Sequence, residues 1–374
     1  MNNYHFIAIG GAVMHNLALA LVQKGYQVTG SDDEIYEPSR TRLEKAGVLP
    51  EKLGWYPEKI HSNLNGIILG MHARIDNPEL IRAQELGIPV FSFPEFIYNQ
   101  SQTKKRVVIA GSHGKTSITS MILHVLKDQG VDFDYLVGAQ IEGFELMVKL
   151  SDAPVIVIEG DEYLTSPIDR TPKFFHYHHD IALVSGIAWD HFNVFPDFEE
   201  YKAQFSKLMD KTPIDGKLIY CEVDPLVKSA AEHSSTSGQK VPYKAHPARI
   251  QEGKTFLITS EGEVEIGIFG DHNLQNLQGA LYICESLGVS PNQFYHSIQT
   301  FKGAAKRQEI LAKGETGILF RDFAHAPSKL KATVNAVKNQ FPERRLIAVQ
   351  ELHTYSSLNK AFLPNYANSM DEAD

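Results

Sequence analysis

The sequence contains little cysteine and no long apolar run. Cys221 and Cys284 are its only cysteines, and no Cys-x-x-Cys spacing occurs, so a disulfide framework is excluded and a reducing compartment is favoured. No stretch approaches the roughly twenty apolar residues of a membrane-spanning helix. The segment Met1–His5 has neither the basic region nor the apolar core of a secretory signal peptide. These absences predict a soluble, cytoplasmic protein.

Positive charge is also scarce. The chain has 36 Lys and Arg against 45 Asp and Glu, which gives a formal net charge of -9. Nonspecific binding to nucleic acid is therefore not expected, and neither a nucleic acid nor a membrane is predicted as a partner. Any anionic ligand must therefore be bound by local positively charged or electropositive groups, namely helix N-termini, a few Lys or Arg side chains, and metal ions. The length of 374 residues fits two or three domains.

The strongest motif in the chain is a glycine turn between a β-branched run and an amphipathic run. The run Val107–Ile109 predicts a strand and Ile118–Gln129 a helix. Between them the glycines let backbone N–H groups converge on an anion at the positive end of the helix. Lys115 can reach a terminal phosphate, and the hydroxyl of Thr116 can complete the shell of a bound Mg²⁺. Ile109 stands where the usual phosphate-loop pattern has glycine, which points away from ordinary GTPases and small-molecule kinases.

A second nucleotide-binding pattern opens the chain. The first 24 residues predict a strand, a turn at Gly10–Ala12 and a helix, and the next strand ends at Ser31 and Asp32. Dinucleotide-binding folds have such a glycine turn with an acidic residue about twenty positions after it. Val13 and Asn16 occupy the region of the third glycine, however. The pattern therefore supports a nucleotide-diphosphate pocket more than it supports NAD.

Two more predicted strands end in residues that bind metals. Val155–Ile158 is followed by Glu159, and Ile181–Val184 is followed at a short distance by His191. Ligands of open parallel sheets bind beyond the carboxyl ends of the strands, so these two side chains and Thr116 can converge. A carboxylate, an imidazole and a hydroxyl make a plausible Mg²⁺ shell. Taken singly, Glu159 could be a capped strand end and His191 a satisfied buried histidine, but their joint placement favours the functional interpretation.

Two further clusters have both a functional and a structural interpretation. His176 and His178 would share one face of an extended segment, but no cysteine and no third well-spaced ligand accompany them, so a strand end is favoured over a structural metal. His272, Asn273 and Asn276 open a predicted helix. Such residues are often caps, yet their spacing also places amide groups on one helical face, suited to reading the edge of a base.

Polar and basic stretches divide the chain into three predicted domains of an α/β protein, at residues 1–103, 104–302 and 303–374. The first is expected to be Rossmann-like, and the second contains the phosphate loop and a hairpin that turns at Glu261. The third is predicted to contain two strands, the second at Leu346–Val349, and two helices. These elements are few for an α/β domain, so we expect this Rossmann-like domain to be incomplete.

The order of the motifs resembles the Mur ligases, the ATP-dependent amide-bond-forming enzymes of peptidoglycan synthesis. The resemblance covers essentially the whole chain and rests on Gly111-x-x-Gly114-Lys115-Thr116, Glu159-x-Asp161-Glu162, Asp190-His191, Gly270-x-His272-Asn273-x-x-Asn276, Arg307 and Asp322-x-x-His325-x-Pro327. The opening Ile9–Ala12 is similar to the branch that binds UDP-N-acetylmuramic acid. Within it, Glu159–Tyr163 and Lys173–Tyr177 resemble the members that reuse a murein tripeptide. Ser357 stands where members that add L-alanine commonly have arginine.

The resemblance implies a role for each matching residue, with Lys115, His191 and Arg307 as the catalytic ones. ATP would be held by Gly111, Ser112, His113, Gly114, Lys115, Thr116, Ser117, His272, Asn273, Asn276, Arg307 and Asp322. Mg²⁺ would be held by Thr116, Glu159 and His191. The UDP-sugar would lie against Gly10, Gly11, Ala12, Ser31, Asp32 and His72, and the peptide against His325, His353 and Ser356. Lys202 is a possible counterpart of the carbamylated lysine that several family members use.

The implied activity is the joining of the lactyl carboxylate of UDP-N-acetylmuramate to the amine of L-Ala-γ-D-Glu-meso-diaminopimelate through an acyl phosphate. Addition of L-alanine alone is the close alternative. Two other classes stay open on the residues themselves. An NAD-dependent oxidoreductase would explain the opening strand–helix–strand unit but not the phosphate loop, and a nonenzymatic nucleotide-binding protein would bind ATP without forming an amide.

Overall fold

The computed structural model describes residues 2–189, 194–304, 307–354, 357–360 and 362–374. The chain divides into two compact units. The first comprises Met1–Arg106 with Phe133–His178, and the second comprises Val107–Asp132 with His179–Asp374. Among the residues just given, no helix is both long and apolar enough to cross a membrane.

The strands and helices alternate over most of the chain, as the α/β prediction requires. The strands are β1 (Asn3–Ile7), β2 (Gln27–Ser31), β3 (Gly66–Leu69), β4 (Val90–Ser92), β5 (Lys105–Ala110), β6 (Asp134–Leu136), β7 (Val148–Lys149), β8 (Val155–Glu159), β9 (Ile181–Val184), β10 (Lys217–Cys221), β11 (Gln239–Tyr243), β12 (Ala248–Gln251), β13 (Lys254–Thr259), β14 (Gly262–Ile266), β15 (Glu309–Lys313) and β16 (Ile318–Arg321). The α-helices are α1 (Ala12–Gln23), α2 (Ser39–Lys45), α3 (Pro78–Glu85), α4 (Phe93–Ser101), α5 (Lys115–Asp128), α6 (Phe198–Asp210), α7 (Pro225–His233), α8 (Asp271–Ser286), α9 (Pro291–Ile298) and α10 (Pro327–Gln340). Short 3₁₀ turns occur at Pro57–Lys59, Lys173–Tyr177 and Leu363–Tyr366.

The first unit contains a parallel sheet in the order β2-β1-β3-β4. Its core includes Ile7, Ile67 and Leu80, which are fully buried. Strand β1 ends at Ile7, because Ala8 adopts a φ of 66°. The chain therefore leaves the strand at Ala8, and the glycine turn begins directly above the end of β1.

The remaining strands of the first unit hold a buried ion pair. Strand β6 runs parallel to β8 and antiparallel to β7. Lys104 Nζ lies 2.9 Å from Asp134 Oδ2, with both side chains almost fully buried, and it donates to the carbonyls of Ser151 and Ala153 at 2.8 and 2.6 Å. Because every partner is satisfied, the pair is stable despite the cost of burying two charges.

The second unit contains parallel strands in the order β11-β10-β9-β5. Strand β9 has the predicted bounds, and it is buried on both faces, as strands of a covered parallel sheet are. Tyr201 and Phe205 of α6 are fully buried. The unit therefore holds the start of α5 firmly at the carboxyl ends of the strands.

Two antiparallel elements complete the second unit. Strands β13 and β14 form the hairpin predicted to turn at Glu261. Strand β12 pairs with β13 and completes a three-stranded antiparallel sheet. Strands β15 and β16 pair with each other, and Phe320 of β16 packs with Phe269 and Phe341 against α10.

Two predictions of secondary structure are wrong. Leu346–Val349 lies in no strand of the described chain; Ile347 and Val349 are 73% and 91% exposed. A run of β-branched residues forms a strand only where a neighbour pairs with its N–H and C=O groups, and β15, which the prediction missed, takes the place beside β16. The segment with His176 and His178 is a 3₁₀ turn followed by a left-handed His178, so these two side chains do not share an extended face.

Candidate functional site

The glycine turn after β5 has the geometry of a phosphate loop. Gly111 has a φ of 127° and Gly114 a φ of 80°, conformations that residues with a Cβ rarely adopt. Helix α5 begins at Lys115 and has no side-chain cap, so its first N–H groups are offered to an anion. Lys115 Nζ donates to the carbonyl of Gly111 at 2.6 Å. The side chain therefore folds back over the loop, where a phosphate would lie.

Side chains from the neighbouring strand end and helix fix the loop. Ser112 N donates to the carbonyl of Gly186 at 2.9 Å, and Ser112 Oγ lies 2.8 Å from the hydroxyl of Tyr201 on α6. The N–H of Ala188 donates to the same Oγ at 2.9 Å. Ser185 donates from Oγ to the carbonyl of residue 113. The loop is thus tied to the end of β9 and to α6 before any ligand is bound.

The close packing leaves no space for side chains at two glycines. A Cβ at Gly111 would lie 2.2 Å from Ser185 Oγ, and a Cβ at Gly114 would lie 2.4 Å from Asn276 Oδ1. The first contact joins the loop to the end of β9, and the second joins it to α8. Asn276 is therefore held against the loop, as expected of a residue that borders the same ligand.

The first turn of α8 carries the predicted amide face. Asn273 and Asn276 are both buried. Asn273 Nδ2 donates to the carbonyl of Phe269 at 3.0 Å and to Oε1 of Gln308 at 2.8 Å. The amides thus serve as more than helix caps, because one points at the phosphate loop and the other at Gln308. Sequence reasoning did not single out Gln308, which belongs to none of the motifs.

A cleft of about 330 Å³, its open mouth included, lies between α5, the start of α8 and the segment before β15. The predicted site residues Ser117, Asn273 and Arg307 line it. Its other lining residues are Met121, Gly267, Ile268, Phe269, Phe301, Lys302, Gly303, Ala304 and Gln308. The structure therefore brings three separately predicted residues to one cleft with both polar and apolar walls.

The predicted residues of the last segment gather around Phe323. Arg307 Nη1 donates to the carbonyl of Phe323 at 3.3 Å, and its guanidinium carbon lies 5.6 Å from the centre of the ring. The rings of His325 and His353 lie 4.9 and 5.6 Å from the same ring. Asp322 Oδ2 accepts the backbone N–H of residue 308 at 2.7 Å, and burial raises the pKa of Asp322.

In the first unit, the predicted UDP-site residues lie at the start of α1 and the end of β2. Gly10 N donates to Asp32 Oδ2 at 2.7 Å, and burial raises the pKa of that carboxyl group. Helix α1 begins after Gly11 without a side-chain cap, which leaves its N–H groups for a diphosphate. Ser31 Oγ lies 3.3 Å from Lys59 Nζ. His72 is exposed in the turn after β3.

The remaining predicted residues have mixed positions. Glu159 ends β8 in the first unit, and its Oε2 accepts the N–H of Gly138 at 3.0 Å. His191 and Ser356 lie outside the described residues. Lys202 Nζ pairs with Glu199 Oε2 at 2.5 Å.

The histidine cluster is arranged differently from the predicted metal pair. His176 Nε2 lies 2.9 Å from Asp169 Oδ2 and 3.0 Å from Thr171 Oγ1, whereas the ring of His178 packs on Tyr98 at 4.4 Å. Glu95 brings a third possible ligand atom within 4.8 Å of His176 and Asp169. A contact between the imidazole and the Asp169 carboxylate, supported by the hydroxyl group of Thr171, accounts for this arrangement.

The pKa of His272 gives a testable dependence of stability on pH. Burial, with the positive charges of His113 and Arg307, lowers this pKa from 6.5 to about 4. The unfolded chain takes up the proton near pH 6.5 and the folded chain only near pH 4. The stability contribution is therefore complete above pH 6.5 and is lost as the pH falls towards 4, by at most about 3 kcal/mol. Urea unfolding at pH 7, 5 and 4 should show a smaller loss in His272→Gln.

The control for this measurement is His233→Gln, which removes an exposed histidine from the end of α7. This variant should keep the acid sensitivity of the unchanged chain. If the free energy of unfolding fell equally with pH between 6.5 and 4 in all three proteins, the role assigned to His272 would be contradicted.

A phosphate loop at the carboxyl edge of parallel strands, with buried amides beside it and an arginine in the adjoining cleft, defines the class of phosphate-loop nucleotide-binding proteins. Comparison with known proteins gives the family. Residues 109–284 match the family description "Mur ligase middle domain", and residues 3–105 match "Mur ligase family, catalytic domain". The UDP-N-acetylmuramate–L-alanine ligase of Sulfurihydrogenibium sp. is 32% identical to this chain, in an alignment that covers 99% of this chain and 80% of the relative. The chain belongs to the Mur ligase family.

Other relatives and solved structures agree with this membership. The UDP-N-acetylmuramate–L-alanine ligase of Lactiplantibacillus plantarum is 30% identical over 99% of this chain and 83% of its own length. A murein peptide ligase mpl from Psychrobacter arcticus superposes with a TM-score of 0.75 at 24% identity, covering 100% of this chain and 84% of the other. UDP-N-acetylmuramate-alanine ligase MurC from Thermotoga maritima superposes with a TM-score of 0.73 at 21% sequence identity. This superposition covers 100% of this chain and 84% of the MurC chain. These structures share the fold.

Family membership confirms the predicted α/β Mur ligase architecture and the class of reaction. Mur ligases are ATP-dependent, Mg²⁺-using ligases of peptidoglycan biosynthesis, and they act on small-molecule substrates, namely a UDP-sugar, ATP and an amino acid or peptide. The chain is therefore an ATP-dependent amide ligase. This excludes the oxidoreductase and the nonenzymatic nucleotide-binding protein as primary functions.

Proposed function

We propose that this ligase joins the lactyl carboxylate of UDP-N-acetylmuramate to the amine of L-Ala-γ-D-Glu-meso-diaminopimelate, the reaction of the Mpl enzymes of peptidoglycan recycling. We place the reaction in the cytoplasm, on the evidence of two cysteines that are buried and free. The identity of the amine is the specific part of the proposal, since the family fixes only an amino acid or a peptide.

One observation carries the choice of a tripeptide. The two segments that resemble tripeptide-adding enzymes, Glu159–Tyr163 and Lys173–Tyr177, contact each other within the first unit. Lys173 Nζ lies 2.6 Å from Asp161 Oδ2, and the backbone N–H of Lys173 donates to the carbonyl of Tyr163 at 3.0 Å. Two segments that resemble the same enzymes and are also paired form one local feature.

We assign to the site residues the roles that the family resemblance implies. Lys115 and the loop N–H groups would hold the β- and γ-phosphates, and Arg307 would reach the γ-phosphate. Asn273, Asn276 and His272 would border the base, and Asp322 the ribose. His325, His353 and Ser356 would face the peptide amine, and the UDP-site residues named above would hold the UDP-sugar. We keep the three proposed domains, at residues 1–103, 104–302 and 303–374, as the frame for these roles.

We also propose that a magnesium ion binds beside the phosphate loop. Thr116 lies in the first turn of α5, directly after the phosphate-binding lysine, and its hydroxyl is a hard oxygen ligand of the kind that Mg²⁺ prefers. Glu159 and His191 would be the further ligands, as the family resemblance implies. When bound, Mg²⁺ supplies electrostatic stabilisation of the transferring phosphoryl group.

The proposed reaction proceeds in two steps. The carboxylate first takes the γ-phosphoryl group of ATP, which gives an acyl phosphate and ADP. The peptide amine then attacks the acyl carbon, so that a C–N bond forms, phosphate leaves with the electrons of the C–O bond, and the nitrogen loses a proton. Lys115 and Arg307 stabilise the negative charge of the phosphoryl group during its transfer.

Addition of L-alanine is the second candidate, because the curated relatives cited above are named UDP-N-acetylmuramate–L-alanine ligases. The two candidates share every ATP-site residue and differ only in the amine.

A phosphate-release assay separates the two candidates. With ATP, Mg²⁺ and UDP-N-acetylmuramate, we expect phosphate release only after the tripeptide is added, with kcat/KM at least about tenfold above that for L-alanine. Mass spectrometry of the products identifies the amide formed. Preference for L-alanine would refute the tripeptide assignment and leave the ligase class intact. The reaction without any amine is the control for ATP hydrolysis.

A further inference from the structure

The side chain of Gln308 lies in the cleft but is not part of any motif described above. It borders the cavity together with Asn273 and Arg307. Its backbone is fixed in an unusual conformation, with a φ of 47°, and its N–H donates to Asp322 Oδ2 at 2.7 Å. Non-glycine residues in this region are uncommon and persist where the surrounding structure holds them. The position of Gln308 is therefore specified closely.

Neighbouring groups also determine which way the carboxamide of Gln308 points. The carbonyl of Phe269 can only accept, so the group of Asn273 that lies 3.0 Å from it is the NH₂ group. The second N–H of that NH₂ group donates to Gln308 at 2.8 Å. The atom of Gln308 that receives it must be Oε1. These hydrogen bonds thus determine which atom is oxygen and which is nitrogen in both carboxamides. They place Nε2 of Gln308 on the side of its carboxamide that does not face Asn273.

The Nε2 group of Gln308 is buried and has no acceptor among the residues that the structure describes. An unmet buried donor is costly, and such a group in a folded protein calls for an explanation. Gln308 lines the cleft together with Met121, Phe301 and Asn273, so apolar and polar groups both border it. An oriented N–H donor without a partner in the protein suits a ligand that offers an acceptor, such as a ring nitrogen of a heteroaromatic base.

We propose that Gln308 is a specificity-determining residue, and that its Nε2 donates a hydrogen bond to a ring nitrogen of the purine of ATP. The inference rests on the proposed function, in that the cleft takes the base of the nucleotide whose phosphates bind the loop at Lys115. Asn273 acts as a positioning residue, because it holds the carboxamide of Gln308 in the orientation that presents the donor.

The test compares Gln308→Met with the unchanged protein in ATP binding and turnover. Methionine has a similar length and volume but no donor. We expect the Kd and KM for ATP to rise about tenfold, the effect of one neutral hydrogen bond, while kcat stays within about twofold. Gln299→Met, which changes an exposed glutamine after α9, is the matched control and should leave both constants unchanged.

Base analogues identify the acceptor and separate recognition from a structural defect. In 1-deaza-, 3-deaza- and 7-deaza-ATP one ring nitrogen is replaced by C–H. For the unchanged protein, we expect one of these analogues to bind about tenfold more weakly than ATP. That penalty should disappear in Gln308→Met, whereas a merely structural role would weaken ATP and all three analogues alike.

An unchanged Kd for ATP in Gln308→Met would overturn the inference, as would analogue penalties that persist in full in the variant. In both cases the unchanged protein still binds ATP, so the proposed function stands. Absence of ATP binding to the unchanged protein, measured by calorimetry with Mg²⁺, would overturn the proposed function and this inference together.

Discussion

Lys115→Ala is expected to lower kcat/KM for ligation by at least about 1000-fold while the fold persists. Lys115 Nζ lies 2.6 Å from the carbonyl oxygen of Gly111, so its charge is held over the loop where, in the proposed reaction, the transferring phosphoryl group would develop negative charge. Removing one such preorganised group typically costs about 10²–10³ in rate, and a phosphate-loop lysine also contributes to binding ATP. The measurement is phosphate release with all substrates present, together with a thermal unfolding curve.

Lys127→Ala is the matched control for this prediction, because Lys127 is an exposed lysine in the last turn of the same helix. It should retain nearly full activity. If Lys115→Ala keeps activity within about tenfold of the unchanged protein, the glycine turn is not the phosphate site, and the proposed roles of the neighbouring residues are wrong as well.

Gly111→Ala is expected to have the second large effect, and it should act on stability and activity together. The new Cβ would lie 2.2 Å from Ser185 Oγ and 3.0 Å from the backbone nitrogens of Ser185 and Gly186. A contact with backbone cannot be relieved by a change of rotamer. We expect about 2–5 kcal/mol of destabilisation from strain and overpacking. A loop displaced by about 1 Å should also lose at least about 100-fold in kcat/KM.

Comparison of Gly130→Ala with Gly111→Ala separates two contributions to the loss of stability, namely the strain of a positive φ and the steric contact of the new Cβ. Gly130 also has a positive φ, 67°, but a Cβ there meets nothing within 4 Å. The free energy of unfolding of Gly130→Ala should therefore fall by only about 1 kcal/mol, the cost of placing alanine in the left-handed region. This variant should keep its activity. Equal losses in the two variants, by urea unfolding, would show that the contact with Ser185 is not what Gly111 avoids.

The sequence was most informative where several local signals agree. The strand, the glycines, Lys115 and the amphipathic run of α5 all predicted the same turn, and the structure has it. The amides at Asn273 and Asn276 were found from helical spacing alone, since residues three apart share a face. The loop between β13 and β14 was found from its turn residues.

The parts that the sequence did not reveal depend on partners distant in the chain. Gln308 has no motif, and its importance comes from Asn273, Asp322 and a cleft, none of which a local pattern encodes. Leu346–Val349 has the composition of a strand but no neighbour to pair with among the described residues. His176 and His178 alternate in sequence as a strand would, yet the chain forms a 3₁₀ turn there.

The anchoring of Ser112 has a consequence for the cost of ligand binding. Its bonds to Gly186, Tyr201 and Ala188 are made within the protein itself. Conformational entropy of ordering the loop at Ser112 has therefore already been lost during folding, so the binding of a nucleotide has a smaller ordering cost at this residue. The rigidity of this turn is in that sense part of the binding energy.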